Sequence, residues 1–183
     1  MMYNYLRDKL LLFKSKKILG FLSFIESIFF PIPTDVLLIP MSMSKSYKWI
    51  DLAFLTTVTS VLGGVVGYFL GVFLFNEINP YIIEYGYLEE FNQSKNLFIE
   101  YGVIILFISS FTPLPYKIFV ITAGLLSLNI FLFILVSLIG RGMRFFLVAY
   151  IAERYGDPIL YYLNKYFLWL SFVILLLFVI IKL

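Results

Sequence analysis

The chain has 183 residues, 62% of them hydrophobic, 20% aromatic and only 14% charged, a balance that excludes a water-soluble domain. It contains no cysteine and no histidine, which excludes disulfides, Cys or His metal sites, haem ligation by His and any mechanism using imidazole or thiolate. A net charge of +3 is too small to indicate nucleic acid, so the basic residues beside apolar segments are assigned to membrane orientation, and no cofactor is expected.

Residues 1–17 form a basic N-terminal segment carrying Arg7, Lys9, Lys14, Lys16 and Lys17. Tyr5 to Phe13 is compatible with a short interfacial amphipathic helix. The apolar stretch that follows lacks a small-x-small cleavage site and contains Glu26, Pro31, Pro33 and Asp35, so it reads as retained structure rather than a signal peptide. A single membrane domain is expected over 18–183.

Its first hydrophobic region, 18–44, carries IESIFFPIPTDVLLIP, with two prolines and two carboxylates at membrane depth. Proline removes a backbone donor, and broken backbone survives in a bilayer only where protein or a wet cavity meets it. The pattern predicts two half-helices meeting at a P-x-P turn. Lys14, Lys16 and Lys17 precede the region and Lys45 and Lys48 follow it, and positive flanks on both sides favour a hairpin that enters and leaves by the cytoplasmic face.

A full span is predicted at 50–75, where Gly63, Gly67 and Gly71 recur every four residues and let another helix approach closely. The polar stretch 76–100 holds five glutamates against the single Lys95 and is expected as an acidic external loop. A second broken region, 97–127, reads FISSFTPLPYKIFVITAG, and further spans are predicted at 130–150 and 166–181. Trp49 and Trp169 are expected at the membrane interfaces.

Laying the two turns on each other exposes an internal repeat: Pro31 and Pro33 align with Pro113 and Pro115 at an offset of 82 residues, and Asp35 then falls on Lys117. One hairpin from each face, each followed by a span of opposite direction, is an inverted-topology repeat. The expected fold is therefore an all-α integral membrane protein with two re-entrant helical hairpins and about three full transmembrane helices.

Glu26, Asp35, Lys117, Arg141 and Arg144 are the ionisable residues expected within the membrane or at its inner edge. Each costs about 2.5–3.5 kcal/mol at a helix centre on insertion scales, so they should pair or face a cavity. If the hairpins meet tip to tip, Glu26 and Asp35 approach Lys117. That cluster would bind an anionic head group through its bases while a carboxylate exchanges a proton; the alternative is a set of ion pairs that only tie two halves together. The first reading is preferred for Glu26, Asp35 and Lys117, and both stay open for Arg141 and Arg144. Thr34 and Tyr116 follow the prolines as hydroxyl donors or local caps.

Glu26-x(4)-Pro31-Ile32-Pro33-Thr34-Asp35, the Gly63 to Gly71 stripe, Tyr101-Gly102, and Phe111-Thr112-Pro113-x-Pro115-Tyr116-Lys117 followed by Ala123-Gly124 together resemble the DedA family, whose members share the VTT or SNARE-associated domain. The likeness covers about residues 18–156, and the PLPYK wording with Gly140 to Phe146 is similar to the YqaA-type branch. It implies a flippase- or scramblase-like transporter in the bacterial inner membrane, N-terminus cytoplasmic, acting on an anionic lipid such as a polyprenyl phosphate or phospholipid. Membrane lipids are the implied partners, protons a coupling ion, and a homo-oligomer is compatible with it.

By position, Glu26 and Asp35 match the acidic pair of the first motif, Lys117 stands where the second motif usually has its second arginine, and Ser110 where many members carry the first. Lysine offers a point charge in place of a bidentate fork, so the family substrate does not transfer automatically, and Arg141 or Arg144 is left to compensate. No covalent chemistry is expected. A lipid head-group enzyme using Glu26, Asp35 and Lys117 is the remoter alternative, and a structural or assembly protein the nearer one.

Overall fold

The computed structural model describes residues 15–29, 32–44, 46–112 and 114–156, and among these described residues six helices account for nearly all of the backbone. In order they are α1 (Lys16–Ile28), α2 (Asp35–Met43), α3 (Trp49–Glu84), α4 (Leu88–Phe111), α5 (Tyr116–Leu125) and α6 (Ile130–Tyr155). The expected half-helices of the first region are α1 and α2, and those of the second are α4 and α5. Pro33 and Pro115 stand just before α2 and α5, where a missing N–H costs least. Pro31, Pro113, the segment 1–14 and the expected span 166–181 lie outside the described residues.

Among the described residues two helices, α3 and α6, are long and apolar enough to cross a membrane. At 36 residues α3 is roughly 54 Å long by the usual rise per residue, well beyond a hydrocarbon core of about 30 Å. Its excess length corrects one expectation. The stretch 76–100 is not a loop, because α3 continues to Glu84 and α4 begins at Leu88. Glutamate is a good helix former, and its charge bars a helix only from the hydrocarbon. The turn itself is tight: Gly86 has φ of 76° and the Tyr87 amide donates to the Ile82 carbonyl at 2.9 Å, closing α3 as glycine-ended helices close.

The 82-residue repeat is carried into the packing. α1 lies along α3 and α4 lies along α6, while α2 crosses onto α6 and α5 crosses onto α3. Glycine makes the crossings possible, since a β-carbon on Gly63 would run into the Phe24 carbonyl of α1, and one on Gly71 into the Ile121 carbonyl of α5. Gly124 of α5 meets the Tyr68 carbonyl of α3 in the same way.

Two apolar clusters result. One gathers Leu19, Leu38, Met41, Leu52, Phe145 and Ala149; the other gathers Tyr68, Leu106, Val120, Ala123, Phe133 and Val136. Leu38 and Met41 of the first correspond in the repeat to Val120 and Ala123 of the second. Along α6 the order runs Phe133 and Val136, then Arg141 and Arg144, then Phe145 and Ala149, so a polar layer separates the two clusters.

Candidate functional site at the two helix breaks

The polar layer is assembled from both breaks and from the faces of α3 and α6 that meet there. Arg141 and Arg144 are three residues apart and therefore share a face of α6, and both are buried. The Arg141 side chain is 2% exposed and donates from Nη2 to Glu26 Oε2 at 2.7 Å and from Nε to Ser60 Oγ at 2.7 Å. Its guanidinium lies over the rings of Tyr116 and Phe145, 4.9 and 4.6 Å from their centroids. Cations within about 6 Å of a ring centroid are attracted by the ring's quadrupole, more strongly where water is excluded.

Arg144 makes a second buried set. Its Nη2 meets Asp35 Oδ2 at 2.5 Å, and its Nη1 donates to the Thr112 carbonyl at 2.5 Å. One side chain thus joins the start of α2 to the end of α4, the two points at which the chain is broken. Asp35 Oδ1 is buried and has no hydrogen-bond partner among the described residues. Buried polar atoms are nearly always satisfied, so an orphaned carboxylate oxygen calls for a role.

Hydroxyls complete the layer. Thr34 Oγ1 donates to Glu26 Oε2 at 3.2 Å, so that oxygen accepts from two donors. Ser27 and Ser60 are 2.8 Å apart, which links α1 to α3 beside Arg141. Ser23 donates to the Thr56 carbonyl at 2.8 Å one turn away.

Of the five ionisable residues singled out from the sequence, the structure brings four into two ion pairs, Glu26 with Arg141 and Asp35 with Arg144. The Lys117 ammonium lies 3.5 Å from the Phe29 carbonyl, so the first turn of α5 reaches the end of α1. That carbonyl end carries partial negative charge, which suits a cation. Ser60, Thr112 and Phe145 were not anticipated. Ser60 had a usable signal in the four-residue spacing of Ser23 and Ser27 on one apolar helix and Thr56 and Ser60 on another. Thr112 acts through its backbone and Phe145 through its ring face, and neither has a sequence signature.

Buried charges in paired breaks between two membrane-length apolar helices define a polytopic helical membrane protein with an internal polar centre. The chain belongs to the VTT-domain family, whose pattern matches residues 30–154. It is 40% identical over 147 residues to an uncharacterised protein of Haemophilus influenzae, covering 80% of this chain and 77% of that one. An uncharacterised protein of Histophilus somni is 38% identical over 138 residues, with 75% and 72% covered. No solved structure matches the chain.

Proposed function

We propose that this protein moves an anionic lipid across the bacterial cytoplasmic membrane, using the two arginine–carboxylate pairs as its transport centre and a proton on a carboxylate as the coupling ion. One observation carries the reading: two buried arginines are each matched by a carboxylate from the other half of the repeat, where two broken helices meet. Ionisable groups inside a membrane are expensive, and they are found chiefly on substrate and proton pathways. An arginine that holds a carboxylate can hold a phosphate in its place, because both present anionic oxygens to its N–H donors.

In this reading the paired breaks are re-entrant hairpins, one from each face, and α3 and α6 are the spans between them. The N-terminus is cytoplasmic, in keeping with its basic residues, and the glutamate-rich end of α3 is external. Alternating exposure of the centre would require α5 to shift along the glycine face of α3.

The test is reconstitution in liposomes with fluorescent polyprenyl phosphate and phospholipids, following their accessibility across the bilayer. Wild type should move at least one anionic lipid faster than empty liposomes, and Asp35→Asn and Arg141→Gln should lose that movement while remaining folded. A second reading, that the pairs only tie the halves together, draws on the full engagement of Arg141. Complementation by a folded Glu26→Gln, Asp35→Asn double variant would establish it instead.

A further inference from the structure

The two ion pairs are built differently, and the difference points to one of them as the place where ligand binds. Arg141 has holders that do not depend on Glu26: Ser60 on Nε and the rings of Tyr116 and Phe145 within 4.9 Å of the guanidinium carbon. Glu26 lacks comparable fixation. Its side chain is 21% exposed against 2% for Arg141, and its partners among the described residues, Arg141 and Thr34, both converge on the single oxygen Oε2. In the other pair both members are nearly closed off, at 10% and 9% exposure, and Arg144 is also committed to the Thr112 carbonyl.

We infer that the position held by Glu26 Oε2 is a phosphate-oxygen site, with Arg141 Nη2 and Thr34 Oγ1 as its donors and the Glu26 carboxylate as an internal occupant that a phosphate-bearing anion displaces. Arg144 and Asp35 do not exchange; they latch the two breaks together. This rests on the anionic-lipid reading above and deepens it by naming the group bound and the atoms that bind it.

The inference follows from competition at a preorganised cation. A guanidinium fixed by other contacts pays no ordering cost when its anion changes, so affinity for the incoming anion is set by how readily the resident leaves. Glutamine at position 26 fills the same space without the charge, so it competes weakly for the same donors. Thr34, at the start of α2, brings a neutral donor that a phosphate oxygen uses as the carboxylate does.

Binding of dihexanoyl phosphatidate to the purified full chain in neutral detergent micelles, read by titration calorimetry, tests this without transport. Inorganic phosphate and dihexanoylglycerol serve as comparison ligands. Glu26→Gln should bind phosphatidate at least about tenfold more tightly than wild type, a difference of about 1.4 kcal/mol. Adding Thr34→Val, or Arg141→Lys, to Glu26→Gln should remove most of that gain. A gain for phosphatidate alone assigns the site to a lipid phosphate, and an equal gain for inorganic phosphate keeps the site but assigns it to a soluble anion. No gain in a folded Glu26→Gln protein, or an equal gain for dihexanoylglycerol, overturns the inference. Since binding and translocation are read separately, liposomes that move no lipid would defeat the transport reading and leave this result standing.

Discussion

The halves of the repeat share an order of elements and differ in where they keep charge. In the first half the carboxylates sit beside the break, on Glu26 and Asp35, and the long helix α3 offers Ser60 and glycines to the centre. In the second half the long helix α6 carries Arg141 and Arg144, at positions that correspond to Thr59 and Leu62 of α3. Neither half is complete alone. Backbone architecture has been kept, through the glycine crossings and the paired prolines, while charge has been divided so that every buried acid finds its base across the interface. Two similar halves held in this way can rock against each other only by straining or exchanging those pairs, which is why the charges and the proposed motion belong to one account.

The largest expected effect comes from removing one charge of the closed pair. Asp35→Leu should leave Arg144 buried without its counter-ion and destabilise the folded protein by about 3–5 kcal/mol in detergent unfolding, with Arg144→Leu in the same range. Against that, Glu26→Gln leaves Arg141 with Ser60 and two aromatic faces, and its cost should be nearer about 1.5–3 kcal/mol. Equal losses for the two carboxylates would remove the distinction between an exchanging pair and a latch.

Glycine substitutions sharpen the comparison of backbones. Gly71→Ala pushes a methyl into the Ile121 carbonyl and should cost about 1–3 kcal/mol by forcing α3 and α5 apart. Gly142→Ala in α6 meets only the Thr57 Cγ2 at 3.7 Å, ordinary contact, and alanine favours the helix, so melting should stay unchanged or rise slightly. At the rim, Lys16 pairs with Asp51 at 3.1 Å with both side chains well exposed, and Lys16→Ala should change stability by less than about 1 kcal/mol.

How much of this was legible follows from the range of the signals. Proline and glycine act locally, so the P-x-P turns and the stripe at Gly63, Gly67 and Gly71 marked the breaks and the close crossings in the sequence alone. The repeat offset then placed α2 against α5 and α3 against α6. Charge pairing was read less well. The alignment of Asp35 with Lys117 marks equivalent positions, and equivalence within a repeat does not name an ion-pair partner, which for Asp35 is Arg144. Which partner a buried acid finds depends on the face α6 turns inward, and the three-residue spacing of Arg141 and Arg144 was the clue to that face. The misread stretch 76–100 has a different cause: glutamates forbid hydrocarbon, not helix, so α3 runs on into it as far as Glu84 and α4 takes up the rest from Leu88.

A double-mutant cycle across Asp35 and Arg144 tests the central claim most directly. Asp35→Leu, Arg144→Leu and the double variant would be unfolded under identical detergent conditions and their stabilities compared with wild type. The account predicts that the double variant is markedly more stable than the sum of the single losses implies, with a coupling of about 2 kcal/mol or more between the two sites. Losses that simply add would mean that the two side chains do not share a buried contact, and the cross-half charge pairing on which the transport centre rests would be wrong.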